Sequence, residues 1–120
     1  MLKWERSNTR EGSFLIDPLE KVKKLLHRGH VCDIVRECHV ADSGGRTAEG
    51  PPFVVLNAAT EDKPGVLAAA GIKYPVLVKP MVAHGSREAH TISLVFNDKG
   101  LENIALPSYL VQHFVNHNAV

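Results

Sequence analysis

The sequence predicts an α/β (α+β) domain on three observations: helix-spaced apolar residues over 17–40, a glycine- and proline-rich break over 42–52, and β-branched runs beyond it. The chain has 120 residues, 44% hydrophobic and 22% charged, which suits one folded domain and excludes a disordered or fibrous one. A chain of this size buries about two-thirds of its unfolded surface, enough for one core but not for two lobes closing on a ligand. The balance of Lys and Arg over Asp and Glu is +1, so no global field favours nucleic acid and any anion must be met locally. No uncharged stretch reaches the ~20 apolar residues of a membrane span. The opening MLKWERSNTREGS carries no export pattern, so the expectation is a cytoplasmic protein without a membrane span.

Residues 1–13 are polar and aperiodic and read as a mobile arm before a domain over 14–120. Asp17 as N-cap, Pro18 at the first helical position and Glu20 three residues on predict a helix start. Leu19, Val22, Leu25 and Leu26 then predict a buried stripe that Gly29 ends. Val31, Ile34, Val35 and Cys38 predict a second helix, and the junction of the pair carries Arg28. Cys32 and Cys38 are the only cysteines; their spacing supports neither a disulfide framework nor a zinc site, so both read as reduced and partly buried. DSGGRTAEGPP over 42–52 is a loop. Phe53 to Leu56 is a short apolar run, and Asp62 to Gly71 a short helix with Asp62 as cap and Gly71 as stop. Strands follow in YPVLVK, ending on Lys79, in Ser93 to Phe96 and in YLVQHFV, with a turn and short helix from Asn97 to Ala105.

Three places carry possible chemistry. Lys79 closes an apolar strand, which leaves its ammonium either solvated or aimed from a fixed backbone at a phosphate. His84, Gly85, Ser86, Arg87 and His90 gather imidazoles, a guanidinium, a hydroxyl and a glycine in one loop, which is either a plain polar connection or an anion-binding turn. Gln112, His113, Asn116, His117 and Asn118 lie on or just past the last strand. A free edge there suits a flat heterocycle such as adenine between Val111 and Val115, whereas the two histidines, without a carboxylate or thiol, make no zinc site. GxxxxGK[ST], GxGxxG, GxSxG and HExxH are absent, so the common nucleotide-loop, hydrolase and zincin signatures do not apply.

Three blocks, SFLIDPLEKVKKLLHRG, YPVLVKPMVAHGSREAHTISLVFNDKGL and LPSYLVQHFVNHNAV, closely resemble the inositol-tetrakisphosphate 1-kinase family, also called inositol 1,3,4-trisphosphate 5/6-kinases. The resemblance runs from about Phe14 to the C-terminus and implies the ATP-grasp fold. It implies that Arg28 and Lys79 bind ATP, that Gln112, His113, Phe114, Val115, Asn116, His117 and Asn118 line the nucleotide pocket, and that His84, Gly85 and His90 bind the inositol phosphate. Lys79 and His84 are the catalytic candidates, and no metal ligand is expected in this chain.

The same resemblance sets limits. Family members carry a substrate-binding lobe before the DPL segment and reach acidic and asparagine magnesium ligands beyond the NHNAV run, so the chain reads as the central portion of an ATP-grasp kinase, incomplete at both ends. The implied function is transfer of the ATP γ-phosphate to a hydroxyl of an inositol tris- or tetrakisphosphate, with magnesium held outside this chain and the fragment inactive alone. ATP and the inositol polyphosphate are then its partners, nucleic acid is not, and the whole protein is a monomer. The alternative is a non-catalytic module that binds inositol phosphates or nucleotides.

Overall fold

The computed structural model describes residues 16–38, 40–41, 43–45, 47–82, 85 and 87–116. The expected arm over 1–13 and the side chains of His84, Ser86, His117 and Asn118 lie outside the described residues. Two helices come first, α1 (Leu19–Lys24) and α2 (Arg28–Glu37). A two-strand ladder of β1 (Val40–Ala41) and β2 (Thr47–Ala48) then leads to β3 (Phe53–Asn57) and α3 (Lys63–Ala69). β4 (Val76–Pro80), a 3-10 turn (Glu88–His90), β5 (Ser93–Val95), α4 (Asp98–Glu102) and β6 (Ser108–His113) complete the order.

The larger sheet has strand order β3-β6-β4-β5, with antiparallel pairing throughout. Its period of two divides the side chains cleanly between faces. Leu56, Val76, Val78, Val95, Tyr109 and Val111 fill one face, where Leu67 of α3 and Leu101 of α4 join them in the core. Phe53, Val55, Leu77, Lys79, Leu110 and Gln112 occupy the other by the same alternation. The helices that cover the core face start where local chemistry says they should. Asp62 Oδ1 accepts from the Gly65 amide at 2.9 Å, and Asn97 Oδ1 from the Gly100 amide at 2.9 Å.

Four expectations change. α1 begins after Pro18 with no side-chain cap, and none of its residues is buried: of the expected stripe Leu19 and Val22 are half-buried, Leu25 is 54% exposed and Leu26 38%. Gly29 does not end a helix; it is buried inside α2. The break falls at residues 25–27, where a β-bridge ties His27 to Val82 and the Arg28 amide donates to the Met81 carbonyl at 2.9 Å. The 42–52 loop holds β2, which pairs with β1. Finally, β6 is an interior strand between β3 and β4, so the ladder consumes the backbone groups expected to be free at an edge.

Candidate functional site

Lys79 and Gln112 meet because of register. Leu77 faces Gln112 and Lys79 faces Leu110 across the β4–β6 pair, so Lys79 and Gln112 are diagonal neighbours on one face. Lys79 Nζ donates to Gln112 Oε1 at 2.6 Å, a short charge-assisted bond. Above this face lies the side of α2 on which Arg28, Val31, Cys32 and Val35 recur at helical spacing. Between helix and sheet is a cavity of about 680 Å³, within the size range of small-molecule sites. Val31, Val35, Phe53 and Leu110 give it apolar walls; Arg28, Lys79 and Gln112 give it polar ones. Residues 49–52 also line it, and a Cβ on Gly50 would sit 2.8 Å from Val35 Cγ1, so a side chain there would displace Val35. Arg36, also in the lining, lies 4.3 Å from the Phe53 ring centroid in a cation–π contact.

The electrostatics of this cleft are those of cations short of counter-charge. Burial, and then the Arg28 guanidinium, hold the Lys79 ammonium below the usual lysine range, while Cys32 pulls weakly the other way. Burial pushes the Cys32 thiol up, with Lys79 the strongest influence holding it down. Among the described residues the ion pairs are Glu20–Lys23 and Asp33–Arg36, both exposed; Glu49 lines the cleft but forms no ion pair with Lys79 or Arg28 there. Arg28 Nη2 donates to the Ala89 carbonyl at 2.6 Å, and its buried Nε has no partner. Two cations and an amide donor beside apolar walls fit a ligand with a polyanionic end and a flat apolar end. No group of three or more His, Cys, Asp or Glu that could hold a metal ion gathers among the described residues.

The structure brings together Arg28, Lys79 and Gln112 among the residues singled out from sequence. His113 alternates to the opposite face, its buried Nδ1 unpartnered and its amide donating to the Pro52 carbonyl at 2.9 Å. Phe114 donates its amide to the Pro75 carbonyl at 3.3 Å, while Val115 and Asn116 are exposed. Val111, expected as a wall, is fully buried in the core, and Leu110 takes its place in the cleft. Gly85 has φ +84, a left-handed conformation that a side chain would strain. His90 is exposed on the 3-10 turn, whose buried Ala89 anchors Arg28. Sequence reading missed Cys32, Phe53 and residues 49–52 as lining. The helical recurrence 28, 31, 32, 35 was the available signal; the expected stripe instead took in Ile34 and Cys38, which are exposed.

The model of the inositol 1,3,4-trisphosphate 5/6-kinase ATP-grasp domain matches residues 42–120. The chain belongs to that family. An inositol-tetrakisphosphate 1-kinase of Xenopus laevis is 33% identical over 109 residues, 90% of this chain and 27% of the relative. Inositol-tetrakisphosphate 1-kinase 1 of Zea mays is 34% identical over 107 residues, 88% of this chain and 30% of the relative. Inositol-tetrakisphosphate 1-kinase 2 of Glycine max is 30% identical over 114 residues, 95% of this chain and 36% of the relative. The chain thus spans about a third or less of the lengths of these kinase relatives. The ATP-grasp match takes in the whole four-stranded sheet, including Lys79 and Gln112, while Arg28 and α2 precede it.

Proposed function

We propose that the cleft between α2 and the sheet binds ATP and that the protein transfers its γ-phosphate to a hydroxyl of an inositol tris- or tetrakisphosphate. The observation that carries this reading is that Lys79 and Arg28 share one partly desolvated cleft whose lining carboxylate, Glu49, forms an ion pair with neither among the described residues. Desolvated cations short of counter-charge suit a polyphosphate, and the apolar walls suit its base. In a loose phosphoryl-transfer transition state, positioning and charge neutralisation matter more than a strong base, which matches a cation-rich site. Lys79 and Arg28 hold phosphate oxygens; Gln112 and the segment through Asn118 run beside the nucleoside. His84, Gly85 and His90 face the inositol phosphate, and the 3-10 turn that carries His90 is fastened to Arg28 through Ala89. Magnesium, when bound, would supply charge that neutralises the phosphates, and the family resemblance puts its ligands outside this chain.

Among the described residues no helix is long and apolar enough to cross a membrane. We place the whole protein in the cytoplasm as a monomer. The test is isothermal titration of ATP into the protein with its natural termini, followed by turnover on inositol phosphates. Lys79→Met should weaken ATP binding about ten- to a hundredfold, as expected for loss of a charged phosphate contact. Undiminished affinity in that variant overturns the assignment; tight binding with no turnover on any inositol phosphate identifies a non-catalytic module instead.

A further inference from the structure

We infer that Gln112 is a positioning residue for Lys79: its amide carbonyl fixes the ammonium at the cleft while its NH2 group remains free to donate to a ligand. The inference rests on the nucleotide reading above and adds to it the device that aims the lysine. An ammonium has three donors and no acceptor, so the atom facing Lys79 Nζ at 2.6 Å must be the amide oxygen, and the flip of Gln112 is fixed by chemistry. One lysine donor is then committed and two remain for phosphate oxygens. The amide nitrogen has no hydrogen-bond partner among the described residues and offers N–H donors to a ligand acceptor.

Lys79 needs such a support. Burial and the Arg28 guanidinium both act against its charged form, and among the described residues no carboxylate forms an ion pair with it. The carbonyl dipole of Gln112 is the neutral group that favours the ammonium without repelling phosphate, as a carboxylate in its place would. Its backbone is set by the β3–β6–β4 ladders on both sides, so the oxygen stays in place when the ligand leaves.

The experiment compares Gln112→Leu and Gln112→Glu in the protein with its natural termini, reading the Lys79 side-chain titration by NMR on labelled lysine and the affinities for ATP and adenosine by calorimetry. Gln112→Leu should move the Lys79 midpoint to lower pH and weaken ATP about tenfold, with a smaller loss for adenosine, which lacks the phosphates that Lys79 would hold. Gln112→Glu should move the midpoint to higher pH yet also weaken ATP, since the new carboxylate repels phosphate. A Lys79 midpoint indifferent to both variants, or equal losses for ATP and adenosine, overturns the positioning role. Wild-type protein that binds no ATP overturns the nucleotide reading itself, and a lysine titration that still follows Gln112 tells that failure from the first.

Discussion

At the scale of single residues, the cleft is a coupled pair of titrating groups. Lys79 and Cys32 pull each other's ionisation: the ammonium holds the thiol down, and the thiolate would hold the ammonium up. Removing the lysine therefore leaves Cys32 with burial as its dominant influence, and Lys79→Met should carry the Cys32 titration further above the usual thiol range. Iodoacetamide rate against pH, measured in a Cys38→Ser background because Cys38 is exposed, checks this. An unchanged profile would place the two groups too far apart to interact. Stability must follow with a definite sign. Lys79 binds its proton less tightly folded than unfolded, so stability rises with pH between its lowered folded value and 10.5. Cys32 binds its proton more tightly when folded, so its contribution is whole below 9.0 and is lost as pH rises through the raised folded value. The two slopes oppose, and Lys79→Met should lose stability more steeply than wild type between pH 9.0 and 10.5, where both groups act, read as urea midpoints.

At the scale of elements, local chemistry explains what the sequence disclosed. α3 and α4 are short, and a helix so short holds only with caps and a buried anchor. Asp62 and Asn97 cap them, and Leu67 and Leu101, 2% and 0% exposed, anchor them. Leu101→Ala should destabilise by about 2–5 kcal/mol, because the transfer loss adds to a cavity under the sheet. Asp62→Ala should cost only about 1 kcal/mol. Urea midpoints that reverse this order would mean that capping outweighs packing here. The same locality explains what stayed hidden. The break before α2 is made by a bridge from His27 to Val82, fifty-five positions away, and no residue near 25–27 announces it. Gly29 carries a stop signal in sequence but sits buried within α2. Lys79 and Gln112 were each readable as candidates, yet their contact depends on the β4–β6 register, which pattern alone does not supply. The reading of β6 as an edge failed for the same reason, since only pairing decides which strands flank it.

At the scale of the whole molecule, the two faces of the sheet differ in what covers them. The core face is closed by α3 and α4, but the cleft face is covered by α2 over only part of its width, and Val55 on β3 and Leu94 on β5 are 48% and 41% exposed. These two residues lie on the outermost strands of the β3-β6-β4-β5 sheet, so each exposed apolar side chain accompanies a row of backbone groups without a neighbouring strand in this sheet. An apolar edge with open hydrogen-bonding groups is the surface on which chains add to one another. Leu25, Leu26 and Ile34 on the helical pair extend the exposed apolar area. The 120 residues by themselves should therefore self-associate, with an apparent mass by size-exclusion chromatography and light scattering that rises with concentration across the micromolar range. Val55→Lys with Leu94→Lys should return the chain towards a monomer, because charge on an edge strand opposes pairing at little cost to a core that neither residue joins. Leu25→Lys should do less, since α1 offers apolar area but no unpaired strand. A concentration-independent monomer in the unmodified chain would show that the edges are already protected, and the sheet would then have to be regarded as closed on its cleft side as well as on its core side.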